Sequence, residues 1–381
     1  MAYVRLVRPH WFLASTLAAM IGIFQAWAEG SYRLMLAILV ILGVILHHAI
    51  METWDELRDY TNYRKEMETE STKPPTLFSG GSGVLTGGFL TSGQVWRFLV
   101  AMVGIALVTL GGIIGLAGWK VLMCVAAGVL VMLNYNAALK LSYRGFGEFA
   151  NFISFGPIMV CSTFIVLRLG SSLGGDGSPG WNLLSVLSVT TVVESVIVGA
   201  VWFGSLHIQE ILDYDEDRIG HKNTLVVKFG KEYASRVPAA TAIVIVALAV
   251  YLSFIDFGFL VLLPAAVLHL CETTSFMMNW RDEAYFMRKM ESFFVYRNFV
   301  LICLSILLSF AFRRLPHAGG GVALLSLVVL TAVSSLPSIW FLSRNGLFAF
   351  GRSGREYGAS RHDGSQAGGG SSSGRLTRGT E

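Results

Sequence analysis

The chain has 381 residues, 54% of them hydrophobic and 14% charged, with 29 Lys and Arg against 25 Asp and Glu for a net charge of +4. Soluble proteins carry about 25% charged residues. This chain has too little charge to cover a water-facing surface of its size, which argues against a soluble enzyme, a nucleic-acid-binding module or a disordered chain. The four cysteines, Cys124, Cys161, Cys271 and Cys303, lie in apolar blocks with no Cys-x-x-Cys pair, so neither a disulfide framework nor a zinc site is suggested.

Apolar blocks close to the roughly 20 residues that cross a bilayer recur along the chain. In order they predict ten spans, at 11–28, 33–51, 97–117, 119–138, 148–170, 183–206, 238–255, 259–275, 294–312 and 321–343. Tight hairpins are expected at Gly118 and at Asp256-Phe257-Gly258. The block after Arg8 has no small-residue cleavage site at a plausible distance, so no cleavable signal peptide is expected. The stretch from Gly351 to Glu381, rich in Gly, Ser and Arg, has too little apolar content to pack and is expected to be disordered. The fold class is all-α, a polytopic transmembrane helical bundle.

Placing the N-terminus, the loops after even-numbered spans and the tail on one side gives that side 24 of the 29 Lys and Arg. The positive-inside rule makes it the cytoplasmic side. A multi-pass protein of the cell (plasma) membrane, embedded in membrane lipid, is the expectation.

Two cytoplasmic connections begin with acidic helix ends. One carries Glu52, Asp55 and Asp59, the other Glu210, Asp213 and Asp217, at a constant offset of 158 residues. Positions i, i+3 and i+7 fall within an arc of roughly 60° on an α-helix, so each helix end presents three carboxylates on one face. Such ends can be ordinary solvated loops. Two equivalent ones, each prolonging a span, also suit Mg²⁺, which takes one or two carboxylates and completes its shell with water and phosphate oxygens. Facing clusters could hold a lipid diphosphate with its tail among the spans.

The sequence resembles the UbiA superfamily of intramembrane prenyltransferases over roughly residues 3–312. The most specific segment is Asp213-x-x-x-Asp217-Arg218, followed by Lys222-Asn223-Thr224-Leu225 and Lys228-Phe229-Gly230, which is similar to that family's second Asp-rich motif. Several segments resemble its menaquinone-pathway branch, the 1,4-dihydroxy-2-naphthoate polyprenyltransferases. They are Arg8-Pro9, Ser79-Gly80-Gly81-Ser82, Tyr143-Arg144-Gly145-Phe146-Gly147-Glu148, Phe155-Gly156-Pro157 and Gln209-Glu210-Ile211-Leu212-Asp213-Tyr214. Met51 and Glu52 stand where the family pattern has Asn-Asp, and His221 stands where Gly precedes the Lys.

The resemblance implies a nine-span membrane domain at 1–312; the apolar block and the Gly/Ser/Arg-rich stretch beyond it are additions to that pattern, an additional transmembrane helix at 313–343 and a tail at 344–381. It implies Mg²⁺-dependent transfer of a polyprenyl group from polyprenyl diphosphate to an aromatic acceptor like 1,4-dihydroxy-2-naphthoate. Asp55, Asp59, Asp213 and Asp217 would be catalytic metal ligands, with Glu52 and Glu210 as further metal candidates. Lys222, Arg58, Lys73, Lys140 and Arg144 are the cations that could bind diphosphate, and each also counts as a topology residue. Tyr135 and Asn134 could face an allylic cation, or belong to the interfacial aromatic belt. His47 and His48 could touch the acceptor. Glu194, an acid inside a span, is a functional candidate or a hydrogen-bonded packing residue. Another acceptor, a UbiA-type cyclase, an ion-coupled transporter and a non-catalytic scaffold remain open at this point.

Overall fold

The computed structural model describes residues 2–61, 81–172, 186–291 and 294–314, together with position 329. Nine helices among these residues correspond to the first nine predicted spans. They are α1 (Phe12–Ala28), α2 (Leu34–Asp59), α3 (Ser92–Ala117), α4 (Val121–Asn136), α5 (Gly147–Ser171), α6 (Val189–Ile219), α7 (Lys231–Ile255), α8 (Leu262–Asn279) and α9 (Phe294–Arg314). All but α4 are long and apolar enough to cross a membrane. With backbone groups barred from water in a bilayer, each segment must satisfy its own hydrogen bonds, which is why these apolar runs are helical throughout. The predicted tenth span and the tail lie outside the described residues, apart from Val329.

The helix ends follow local chemistry. Thr91 opens α3 with a capping box: its side chain accepts from the Gln94 N–H while Gln94 answers the Thr91 N–H. Gly118, at φ 81°, closes that helix in a conformation a side chain would oppose. The α7–α8 hairpin is held by Asp256, whose carboxylate accepts from the Gly258 N–H at 2.8 Å.

α1 is buried around nearly its whole circumference. It meets α5 so closely at Gly22 that an added Cβ would strike the Val160 carbonyl and the Thr163 hydroxyl, and Thr163 donates across the crossing to the Ala19 carbonyl at 3.1 Å. Gly156 on α5 lies equally close to Ser195 and Gly199 on α6. Small residues at such crossings let backbones approach where lipid supplies no hydrophobic drive. The outer helix faces are apolar, with Val108 78% and Phe254 87% exposed, as a lipid-facing surface requires.

Three departures from the predicted spans shape the site. α2 continues eight residues past its apolar block to Asp59, and α6 runs on to Ile219, so both acidic triplets remain helical. α5 contains a π-helical turn at Ser154–Ile158, around Pro157. Pro has no N–H to give to the regular ladder, and such bulges re-aim neighbouring side chains. α7 starts at Lys231 rather than 238, with Pro238 inside it, packed against Gly204 of α6.

Candidate active site

The C-terminal ends of α2 and α6 border one cleft of about 210 Å³. All six carboxylates of the two triplets line it, joined by Glu56 and Glu216. Among the described residues, Arg8 and Lys222 are the cations in the lining. Eight acids against these two bases make the cleft attractive to cations.

Asp59 is held at both oxygens: Tyr143 Oη donates to Oδ1 at 3.0 Å, and Lys222 Nζ to Oδ2 at 3.3 Å. Glu52 is gripped by Arg8 at 3.5 Å and lies 3.4 Å from His48 Nε2, while His48 Nδ1 bonds Ser15 Oγ at 2.9 Å. Asp55 Oδ1 and Glu210 Oε2 are buried with no hydrogen-bond donor against them. A buried carboxylate oxygen without a donor is expensive, and a hard cation is a natural partner for it. Among the described residues no three His, Cys, Asp or Glu converge into a ready-made metal shell. Mg²⁺ takes one or two carboxylates and completes its shell with water and phosphate oxygens, and the donor-free oxygens of Asp55 and Glu210 are ligands of that kind. The donor set therefore fits.

Lys222 reaches the cleft from the turn after α6, where His221 adopts φ 55°. Glycine is favoured in that left-handed conformation, which accounts for glycine at this position in the family pattern. Arg58, Lys140, Arg144 and Asn134 do not line the cleft. Arg58 lies over the Trp54 ring, Lys140 over Tyr143, and Asn134 donates to the Leu130 carbonyl of its own helix. Glu194 is buried in α6 away from the cleft, and Lys73 lies outside the described residues.

Aromatic residues close the inner wall of the cleft. Trp202 stacks on Phe155 at 4.1 Å, and Trp11 meets Trp202 edge-on at 5.6 Å. Tyr135 Oη accepts from Asn151 Nδ2 at 3.0 Å. Beyond this wall lies an apolar cavity of about 410 Å³ between α2, α3, α4 and α5. His48, Met51, Tyr135, Asn151 and Phe155 line both spaces, so the acidic cleft and the apolar cavity adjoin across a shared wall. His47 faces the apolar cavity only. Sequence reasoning passed over Trp11, Asn151, Trp202 and Glu56, and had Tyr143 and Phe155 only as parts of motif segments, with no role. Trp11, Asn151 and Trp202 sit in apolar runs where nothing marks one residue from its neighbours.

The family model described as the UbiA prenyltransferase family matches residues 12–296. Solved structures share the fold. A UbiA homolog from Archaeoglobus fulgidus, bound to DMAPP and Mg²⁺, is 17% identical with a TM-score of 0.53, over 82% of this chain and 98% of that one. The same homolog bound to GPP and Mg²⁺ is 16% identical at 0.53, over 82% and 99%. A digeranylgeranylglyceryl phosphate synthase structure is 14% identical at 0.52, over 81% and 97%. No curated protein matches the sequence at a significant level. With the family model spanning well over half of the sequence and the all-helical fold shared, the chain belongs to the UbiA prenyltransferase family and is an integral, multi-pass membrane prenyltransferase.

Proposed function

We propose that the protein transfers a polyprenyl group from polyprenyl diphosphate to an electron-rich aromatic acceptor of the 1,4-dihydroxy-2-naphthoate type, a step of menaquinone or related prenylquinone synthesis. The observation that carries this reading is that the eight-carboxylate cleft and the 410 Å³ apolar cavity lie side by side and share five lining residues. One space suits a metal-bound diphosphate and the other an isoprenoid tail. Relatives of the same fold bound to DMAPP or GPP with Mg²⁺ support it.

In this reading Asp55, Asp59, Asp213 and Asp217 would hold Mg²⁺, with Glu210 as a further ligand from α6; an ion held there would supply charge neutralisation for the leaving diphosphate. Lys222 leaves Asp59 to take a phosphate oxygen. Glu52, engaged by Arg8 and His48, shapes the acceptor side instead of serving as a primary ligand. The rings of Trp11, Trp202, Phe155 and Tyr135 stabilise positive charge on the allylic carbon by about 0.5–2 kcal/mol for a well-placed ring, and exclude water. The new C–C bond forms at the acceptor ring, which then loses a proton. The basic asymmetry of the loops supports a cleft facing the cytoplasm at the plasma membrane, with residues 1–312 as the catalytic domain.

The test is product identification by mass spectrometry. Full-length protein, geranylgeranyl diphosphate and Mg²⁺ are incubated with a hydroxylated naphthoate, a hydroxybenzoate and a glycerol phosphate lipid. The expected result is a prenylated naphthoate with release of pyrophosphate. A prenylated glycerol phosphate lipid, or a cyclic terpene formed without any acceptor, would replace the aromatic assignment.

A further inference from the structure

We propose that Glu148, which lines neither cavity, is a positioning residue that pins the 222–225 turn and so holds Lys222 over the acidic cleft. This rests on the reading of the cleft as a diphosphate site. Glu148 lies in the first turn of α5 and is fully buried. Its Oε1 accepts from the Leu225 N–H at 2.5 Å.

Two further contacts join the same pair of segments. The Tyr143 carbonyl accepts from the Asn223 N–H at 3.3 Å. Gly145, at φ 80°, approaches the Asn223 carbonyl so closely that a Cβ there would sit 3.1 Å from it. The 143–148 segment therefore grips the turn on both sides of Asn223. The same segment sends the Tyr143 hydroxyl to Asp59, and its ring lies 5.4 Å beneath Lys222 Nζ. Lys222 is thus set between a clamped backbone on one side and Asp59 on the other.

A buried carboxylate is costly to desolvate, by several kcal/mol for an ion. Burying one for a backbone contact is consistent with a need to fix that backbone. Glu148 also has Glu210 and His207 of α6 as neighbours. Its removal could therefore act through Glu210 instead of Lys222, and the experiment separates these routes.

Steady-state kinetics on the intact protein would compare Glu148→Ala and Glu148→Gln, each in the wild-type and Lys222→Ala backgrounds. A lost buried hydrogen bond to a charged group corresponds to about a tenfold rise in KM for the prenyl diphosphate. That rise is expected for Glu148→Ala, with a smaller change in kcat. Glu148→Gln, whose amide oxygen still accepts, should remain within about threefold of wild type. In the Lys222→Ala background, Glu148→Ala should add no further rise, because residues acting through one another are not additive. Amide exchange of the substrate-free protein reads the pin directly: protection at Asn223–Val227 should fall by about tenfold in Glu148→Ala and hold in Glu148→Gln. Equal losses in both backgrounds, or unchanged exchange in Glu148→Ala beside an active wild type, would overturn this role alone. A wild-type protein that turns over no prenyl diphosphate would overturn the functional reading and this role together.

Discussion

Asp55→Asn and Asp213→Asn are each expected to reduce turnover by about two to three orders of magnitude, and the double variant by little more than either alone. The size follows from what removing one preorganised charge-stabilising group costs at a reacting centre, about 10²–10³ in kcat. The non-additivity follows from the geometry. The two residues come from α2 and α6, separated by 158 positions, yet line one cleft. Once either side of a shared charge clamp is lost, the other has nothing left to complete. Neither variant should unfold the protein, since Asn is isosteric with Asp. Single-turnover rates on the two single variants and the double variant check this. Losses that multiply would mean two separate sites.

Gly128→Phe is expected to abolish use of long prenyl diphosphates while sparing short ones. Gly128 lies on α4 with its Cα facing the apolar cavity, and a Cβ there would meet the His47 ring at an unstrained 3.6 Å. A methyl group fits, whereas a phenyl ring must extend into the 410 Å³ space. Displacing a substrate by even about 1 Å can cost a hundredfold in rate, so activity with geranylgeranyl diphosphate should fall by about that factor. Dimethylallyl diphosphate has a five-carbon tail and should stay within a few-fold of wild type. The helix should tolerate the change, because leaving glycine recovers about 0.5 kcal/mol of helix propensity and the ring extends into a cavity instead of into packed side chains. Rates for a substrate series of increasing length check it. Equal losses at every length would show that the cavity does not hold the tail.

Much of this architecture was legible before the structure because a bilayer imposes simple rules. Apolar blocks at the spanning length located nine helices, and the hairpins at Gly118 and Asp256–Gly258 followed from residue chemistry. The acidic triplets were visible for a different reason. Three carboxylates at i, i+3 and i+7 on two span ends, at one constant offset, stand out from the scattered charges of the other connections, and both triplets do line one cleft.

Less was legible among the cations. Arg58, Lys140, Arg144 and Lys222 look alike in a basic loop, and only the turn at His221 and its grip by residues 143–148 bring Lys222 to Asp59. The aromatic wall was hidden because Trp11, Phe155 and Trp202 are indistinguishable from lipid-facing aromatics until the helices pack. The π-turn at Ser154–Ile158 left only a Gly-Pro pair as its trace. Glu148 stood in a motif segment but its role, like Glu56 altogether, was concealed by its partner. Each accepts from a backbone N–H, of Leu225 and of Ser82 respectively, and a backbone donor has no signature in sequence.

The central claim is that the acidic cleft and the apolar cavity form one metal-dependent site for a prenyl diphosphate. Equilibrium binding of an unreactive geranylgeranyl thiodiphosphate to the full-length protein, with and without Mg²⁺, tests it most directly. Saturable binding that requires Mg²⁺, and that is lost in both Asp55→Asn and Asp213→Asn, is the expected result. Binding of equal strength in the presence of a chelator, or binding retained in both variants, would contradict it.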